Sequence, residues 1–239
     1  MHEGEQDIPR PSPRVIGTIY LLYFITAFLG MFLLRGLVVP GNAVETANNI
    51  LSHQALFRAA CAVDLLGNVL YLVLTACLYR LLGPVNWSVS LAAAFISLVG
   101  CGVQIFAEIF RIAPLALLTD VQLASAFGAG QLQNLAMAGF TLHTQSFYIS
   151  LVLFGLYDVL LGYLVVRSSY IPRSIGALLI CAGVGWLAFL WPPLATALSS
   201  VILPLGALAE IVFMLWLLLR GVDVPKWQHA SRTNARDPA

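Results

Sequence analysis

Four carboxylates, Asp64, Glu108, Asp158 and Glu210, stand inside stretches of sequence apolar enough to lie in lipid. An ionisable side chain at membrane depth costs several kcal/mol unless it faces protein or water, so each marks a candidate functional position. Two of them belong to longer polar stripes. Arg58, Cys61, Asp64, Asn68, Tyr71 and Thr75 recur at three- and four-residue spacing, as do Ser97, Gly100, Gln104, Glu108 and Arg111. Such spacing puts each set on one face of a helix. Glu108 and Arg111 are close enough along the chain to pair. Ser150, Tyr157 and Asp158 fall on a third helix and Glu210 on a fourth. At about 1.5 Å per residue, Asp64, Asp158 and Glu210 come out near the membrane midplane and Glu108 in the outer third. Arg35, Arg58 and Arg111 come out near the outer surface. The simplest packing is a polar cavity open outward, with arginines at the mouth and acids toward the floor. Arg58, Asp64, Asn68, Gln104, Glu108, Arg111, Asp158 and Glu210 are its candidate ligand contacts. Asp64, Glu108 and Glu210 are candidate acids for catalysis, since a carboxylic acid in apolar surroundings can donate a proton. The competing reading is that these groups serve as structural ion pairs and hydrogen bonds between helices.

The elements that carry these residues follow from composition. The chain has 239 residues, of which 60 % are hydrophobic and 10 % charged, and its mean hydropathy is +0.89. Soluble domains carry roughly a quarter charged residues. Apolar runs at about 15 to 38, 55 to 82, 88 to 118, 146 to 166, 174 to 191 and 200 to 220 are each long enough to span a bilayer. The expected fold is an all-α, polytopic membrane bundle of about six transmembrane helices over residues 15–222, with disordered tails at 1–14 and 223–239. The first run follows Arg14 like a signal sequence, but it is too long and lacks a small-residue cleavage site, so it stays as a helix.

Orientation comes from the arginines and the single lysine, which insertion retains in the cytoplasm. Arg10, Arg14, Arg80, Arg167, Arg173, Arg220, Lys226, Arg232 and Arg236 lie on the tails or at the second and fourth connections. The connections near 39 to 53, 119 to 145 and 192 to 199 hold no Lys or Arg. Both termini are therefore expected in the cytoplasm, in a cell (inner or plasma) membrane. The cytoplasmic hairpins Leu78-Tyr79-Arg80 before Pro84 and Val165-Val166-Arg167 before Pro172 look alike, as a remnant repeat would.

Residues 43 to 51 read as a short helix with Glu45, Asn49 and His53 on one face, a candidate lid. The connection at 119 to 145 reads as a long small-residue loop. Pairs of glycines seven apart, Gly155 with Gly162 and Gly176 with Gly183, mark faces of close helix approach, and Trp87, Trp191 and Trp227 read as interfacial anchors. Cys61, Cys77, Cys101 and Cys181 lack metal or redox spacing and read as reduced core residues. His53 and His143 on separate loops do not make a metal motif, so no metal and no cofactor is expected. A net charge of +1 gives no field for nucleic acid. The expected partners are membrane lipids, a small molecule and a second copy of the chain.

Several segments resemble a bacterial membrane family catalogued as domain of unknown function 4386. They are Glu45 to Ile50 with His53, Leu56-Phe57-Arg58, Asp64 to Gly67, Leu78 to Leu82, Gly155 to Leu164, Tyr170 to Gly176, and Glu210 with Leu217 to Val222. The resemblance implies an integral membrane protein and adds weight to Glu45, His53, Arg58, Asp64 and Glu210, without bringing an activity. Three functions suit these residues. One is binding or movement of a small polar or amphipathic molecule through the outward cavity. Another is acid catalysis on a lipid or isoprenoid. The third is an accessory or sensory subunit whose stripes receive a partner's helices.

Overall fold

A computed structural model of the chain describes residues 12–236. Among them the secondary structure is helical. Six helices are long and apolar enough to cross a membrane: α1 Pro13–Leu34, α3 Gln54–Leu82, α4 Trp87–Thr119, α6 Ala129–Arg167, α7 Arg173–Trp186, which runs on in a single 3₁₀ stretch at Leu187–Leu190, and α8 Pro192–Leu219. Three shorter helices join or follow them, α2 Ala43–Ser52, α5 Val121–Ala126 and α9 Val224–Arg236.

Each span packs on the next along the chain, and α8 closes back on α1, so the six form a ring. The inside of the ring is filled by one apolar cluster that includes Tyr20, Leu74, Leu81, Leu161, Leu179 and Phe213. The α6–α7 contact is backbone to backbone. A Cβ added at Gly162 would meet the Gly176 carbonyl oxygen at 2.6 Å, and one at Gly155 would meet that of Gly183 at 2.8 Å. Small residues are what allow this in a bilayer, where dispersion contacts drive helix association.

At the outer end, α2 lies across α6, α4 and α3. Asn42 caps it, its Oδ1 accepting from the Glu45 amide at 3.0 Å and its Nδ2 donating to Glu45 Oε2 at 2.8 Å, which satisfies donors that a helix start leaves open. Ala47 and Ile50 are fully buried beneath it, and Ile50 joins Leu37, Phe57, Cys61 and Leu115 in a second, smaller core. The short helix expected over 43 to 51 is thus present, packed on the outer ends of α3, α4 and α6.

Three expectations are corrected. The connection at 119 to 145 is not a long loop: α6 begins at Ala129, because Leu132, Ala136, Phe140, His143 and Phe147 hold helical spacing that its small residues obscure. The tail beyond 223 is not disordered over 224–236 but forms α9. Trp227 on that helix is not an interfacial anchor; it is 5 % exposed and donates its indole N–H to the Leu81 carbonyl at 3.0 Å. The Tyr170 hydroxyl donates to the same carbonyl at 2.8 Å, and burial pushes that phenol well above its ordinary range. Of the expected N-terminal tail, residues 1–11 lie outside the described residues, and Pro13 and Arg14 open α1. Trp87 and Trp191 are exposed at span ends, and the four cysteines are free, Cys61 and Cys101 buried and Cys181 on the outside.

Candidate functional site

At its outer end the ring opens into a cavity of about 1060 Å³ between α1, α3, α4 and α6. Its polar wall is a cluster centred on Arg111. The guanidinium pairs with Asp64 across the α3–α4 contact and lies with its Nε 3.5 Å from Glu108 Oε2 one turn back on α4. His143 on α6 completes the group: Arg111 donates to its Nε2 from Nε at 3.1 Å and from Nη2 at 2.7 Å. The Glu108 Oε1 atom stands 3.4 Å from the same nitrogen. Two carboxylates and an imidazole thus converge on one guanidinium. All four side chains are about 16 % exposed or less.

Local sequence explains how they fit. Gly30 on α1 faces Asp64 so closely that a Cβ there would collide with the carboxylate; only glycine leaves the acid its place. Asn68, one turn below, donates to the Asp64 backbone carbonyl at 3.1 Å and lines the cavity together with Gln104. Opposite the charges, α1 supplies Phe28, Met31 and Phe32, each more than half exposed, while Arg35 stands at the rim. One wall is charged and the other is apolar.

Below, a second chamber of about 180 Å³ shares Tyr23, Gln104 and Phe147 with the outer cavity and contains Glu210.

With that geometry in view, the family model for a domain of unknown function (DUF4386) matches residues 15–221, nearly the whole chain. The chain belongs to the DUF4386 family. No curated protein and no solved structure matches it.

The candidate site residues read from the sequence of this DUF4386 member do not all meet. Asp64, Asn68, Gln104, Glu108 and Arg111 line the outer cavity. Arg58 does not; it is exposed, because the steps 58, 61, 64 each fall about 60° short of a full turn, leaving Arg58 about 120° around the helix from Asp64. Glu210 occupies the inner chamber instead. Asp158 lines neither space. It sits on the α6 span fifteen residues beyond His143, about 22 Å along the axis, buried where α6 meets α7. Thr75 and Ser97, the lower ends of the two stripes, hydrogen bond to each other at 2.7 Å and join α3 to α4.

Glu45, Asn49 and His53 lie on the outer side of α2, clear of the cavity. Asn49 ties the helix to the Gly36 carbonyl at 3.0 Å, and His53 Nδ1 contacts the Asn49 carbonyl at 3.0 Å. The apolar underside of α2 packs on the smaller core of Leu37, Phe57, Cys61 and Leu115, while the cavity is lined from α1, α3, α4 and α6. His53 and His143 are engaged separately, and among the described residues no group of three His, Cys, Asp or Glu side chains is placed to hold a metal. His143 is the cavity residue that sequence reasoning left on a loop; the helical spacing from Leu132 to Phe147 was its signal.

Proposed function

We propose that this multi-pass membrane protein binds a small amphipathic molecule in the outer cavity, on the extracytoplasmic side of the cell (inner or plasma) membrane. One observation carries the reading: buried ionisable side chains from three helices line one wall of a single space whose other wall, on α1, is apolar and reaches the lipid-facing surface. A molecule with a polar head and an apolar body would place its head at Asp64, Glu108 and Arg111 and its body along Phe28, Met31 and Phe32. Ligand pockets run to roughly 300–1,000 Å³, and this volume suits such an occupant. The outer connections hold no Lys and, apart from Arg35 at the end of α1, no Arg, which supports the side assigned to the opening. Below it the packed core closes the ring, so this conformation holds a ligand on one side, and release to the other side would require the helices to move.

Thermal unfolding of the purified protein against a panel of single-chain amphipaths with cationic, zwitterionic, anionic and neutral heads tests the reading. The expected result is concentration-dependent stabilisation by one head class, lost in Glu108→Gln. Stabilisation by every head class alike, unchanged in Glu108→Gln, would reflect detergent-like partition and refute the reading.

A further inference from the structure

The inner chamber differs in kind from the cavity above it. It holds a carboxylate but no cationic side chain, and its walls are aromatic: Tyr23, Phe24, Tyr71, Phe147, Phe154 and Trp186. Four of these rings are connected, Phe24 to Tyr23 at 5.4 Å, Tyr23 to Tyr71 at 4.8 Å and Tyr71 to Phe154 at 5.1 Å between centroids, the last two edge to face. Glu210 is 4 % exposed, with the Tyr20 hydroxyl beside it. Asp158, 1 % exposed, lies outside the chamber where α6 meets α7. Among the described residues neither acid has an ion-pair partner. Two further groups are unsatisfied. The Trp186 indole N–H, on a side chain 8 % exposed, and Asp158 Oδ2 are both buried without a hydrogen-bond partner. Buried polar groups without partners are rare in native structures, and a buried acid such as Glu210 without a cation leaves a deficit of positive charge.

We infer that the inner chamber is a binding site for a small organic ammonium, with Glu210 facing the cation, the aromatic rings enclosing it and the Trp186 N–H free to donate to an oxygen on the same molecule. Ring faces attract cations, and aromatic enclosures recognise quaternary ammonium groups. At about 30 Å³ per water-sized group, 180 Å³ accommodates about six heavy atoms, a compact head and no more. The shared wall of Tyr23, Gln104 and Phe147 gives the route from the outer cavity. The inference rests on residues of the inner chamber alone, so an outer cavity that bound nothing would leave it standing.

Equilibrium binding of choline to the full-length protein in nanodiscs, with its uncharged carbon isostere dimethylbutanol as control, is the test. Choline should bind saturably and the isostere should not. Glu210→Gln, a near-isosteric change, should weaken choline by about tenfold or more, the scale of one lost charge contact. Trp186→Phe, which keeps the ring and removes the donor, should weaken choline more than it weakens tetramethylammonium, which has no oxygen. Equal binding of choline and its isostere, no saturable choline binding, or wild-type choline affinity in well-folded Glu210→Gln would each overturn the assignment. If Glu210→Gln does not fold, an equal loss of choline and tetramethylammonium in Trp186→Phe would do so.

Discussion

Replacing Arg111 by leucine is the sharpest probe of the outer cluster. Among the described residues Arg111 is the one arginine or lysine that touches Asp64 and Glu108, and its removal leaves two carboxylates, 16 % and 7 % exposed, beside His143. Removing one partner of a buried pair typically costs about 3–5 kcal/mol because a charge is stranded. Water in the open cavity softens the effect, so the lower end, about 3 kcal/mol, is expected. For a chain of this size that amounts to a fall of about 6–12 °C in Tm. Thermal unfolding followed by tryptophan fluorescence, with Arg58→Leu as control, is the assay. Arg58 is exposed and unpaired in the site, so its loss should stay within about 0.5 kcal/mol. Adding Glu108→Gln to Arg111→Leu should recover part of the loss, since one stranded charge is then gone. The reasoning is refuted if Arg111→Leu costs no more than Arg58→Leu, or if the second substitution deepens the loss.

Gly162→Ala would drive a methyl group against the Gly176 carbonyl; a loss of about 1–3 kcal/mol and separation of α6 from α7, read by unfolding and by cross-linking across that contact, are expected. Trp227→Phe and Tyr170→Phe each remove one donor to the Leu81 carbonyl. Each should cost about 1 kcal/mol, and Trp227→Phe should also speed proteolysis within α9, whereas an unchanged cleavage rate would mean the bond does not hold that helix. The side-chain bond from Lys226 holds the Asp223 carboxylate below its usual range. Because the folded value lies below the unfolded one, this contribution is complete above the unfolded value and fades as pH falls through the folded one. Amide exchange at the start of α9, compared at matched intrinsic rates, should therefore rise on acidification in wild type and not in Asp223→Asn.

The six spans were readable because each apolar run exceeds a bilayer's thickness, and α2 because Thr46, Ala47 and Ile50 share one face between polar neighbours. Of the candidate site, Asp64 with Asn68 and Gln104 with Glu108 and Arg111 were readable because each set turns little around its own helix over those residues. What escaped depended on relations between helices. Periodicity reports the face of one helix, not which faces oppose, so nothing along the chain separated Glu210 and Asp158 from the acids of the outer cavity; their separation comes from register along α6 and α8. His143 escaped because Gly128, Gly130, Ser125 and Gln133 lower the hydropathy around the start of α6. Trp227 escaped because the carbonyl that holds it lies 146 residues earlier. Arg58 was drawn in by threefold spacing, which drifts around a helix when repeated without a compensating four.

Mass spectrometry of the small molecules and lipids that co-purify with wild type, Asp64→Asn and Glu108→Gln tests the central claim most directly. The account expects one defined amphipathic compound at a stoichiometric level with wild type, depleted in both variants while their folded yield is unchanged. The same bulk membrane lipids in all three, with no compound enriched, would contradict it.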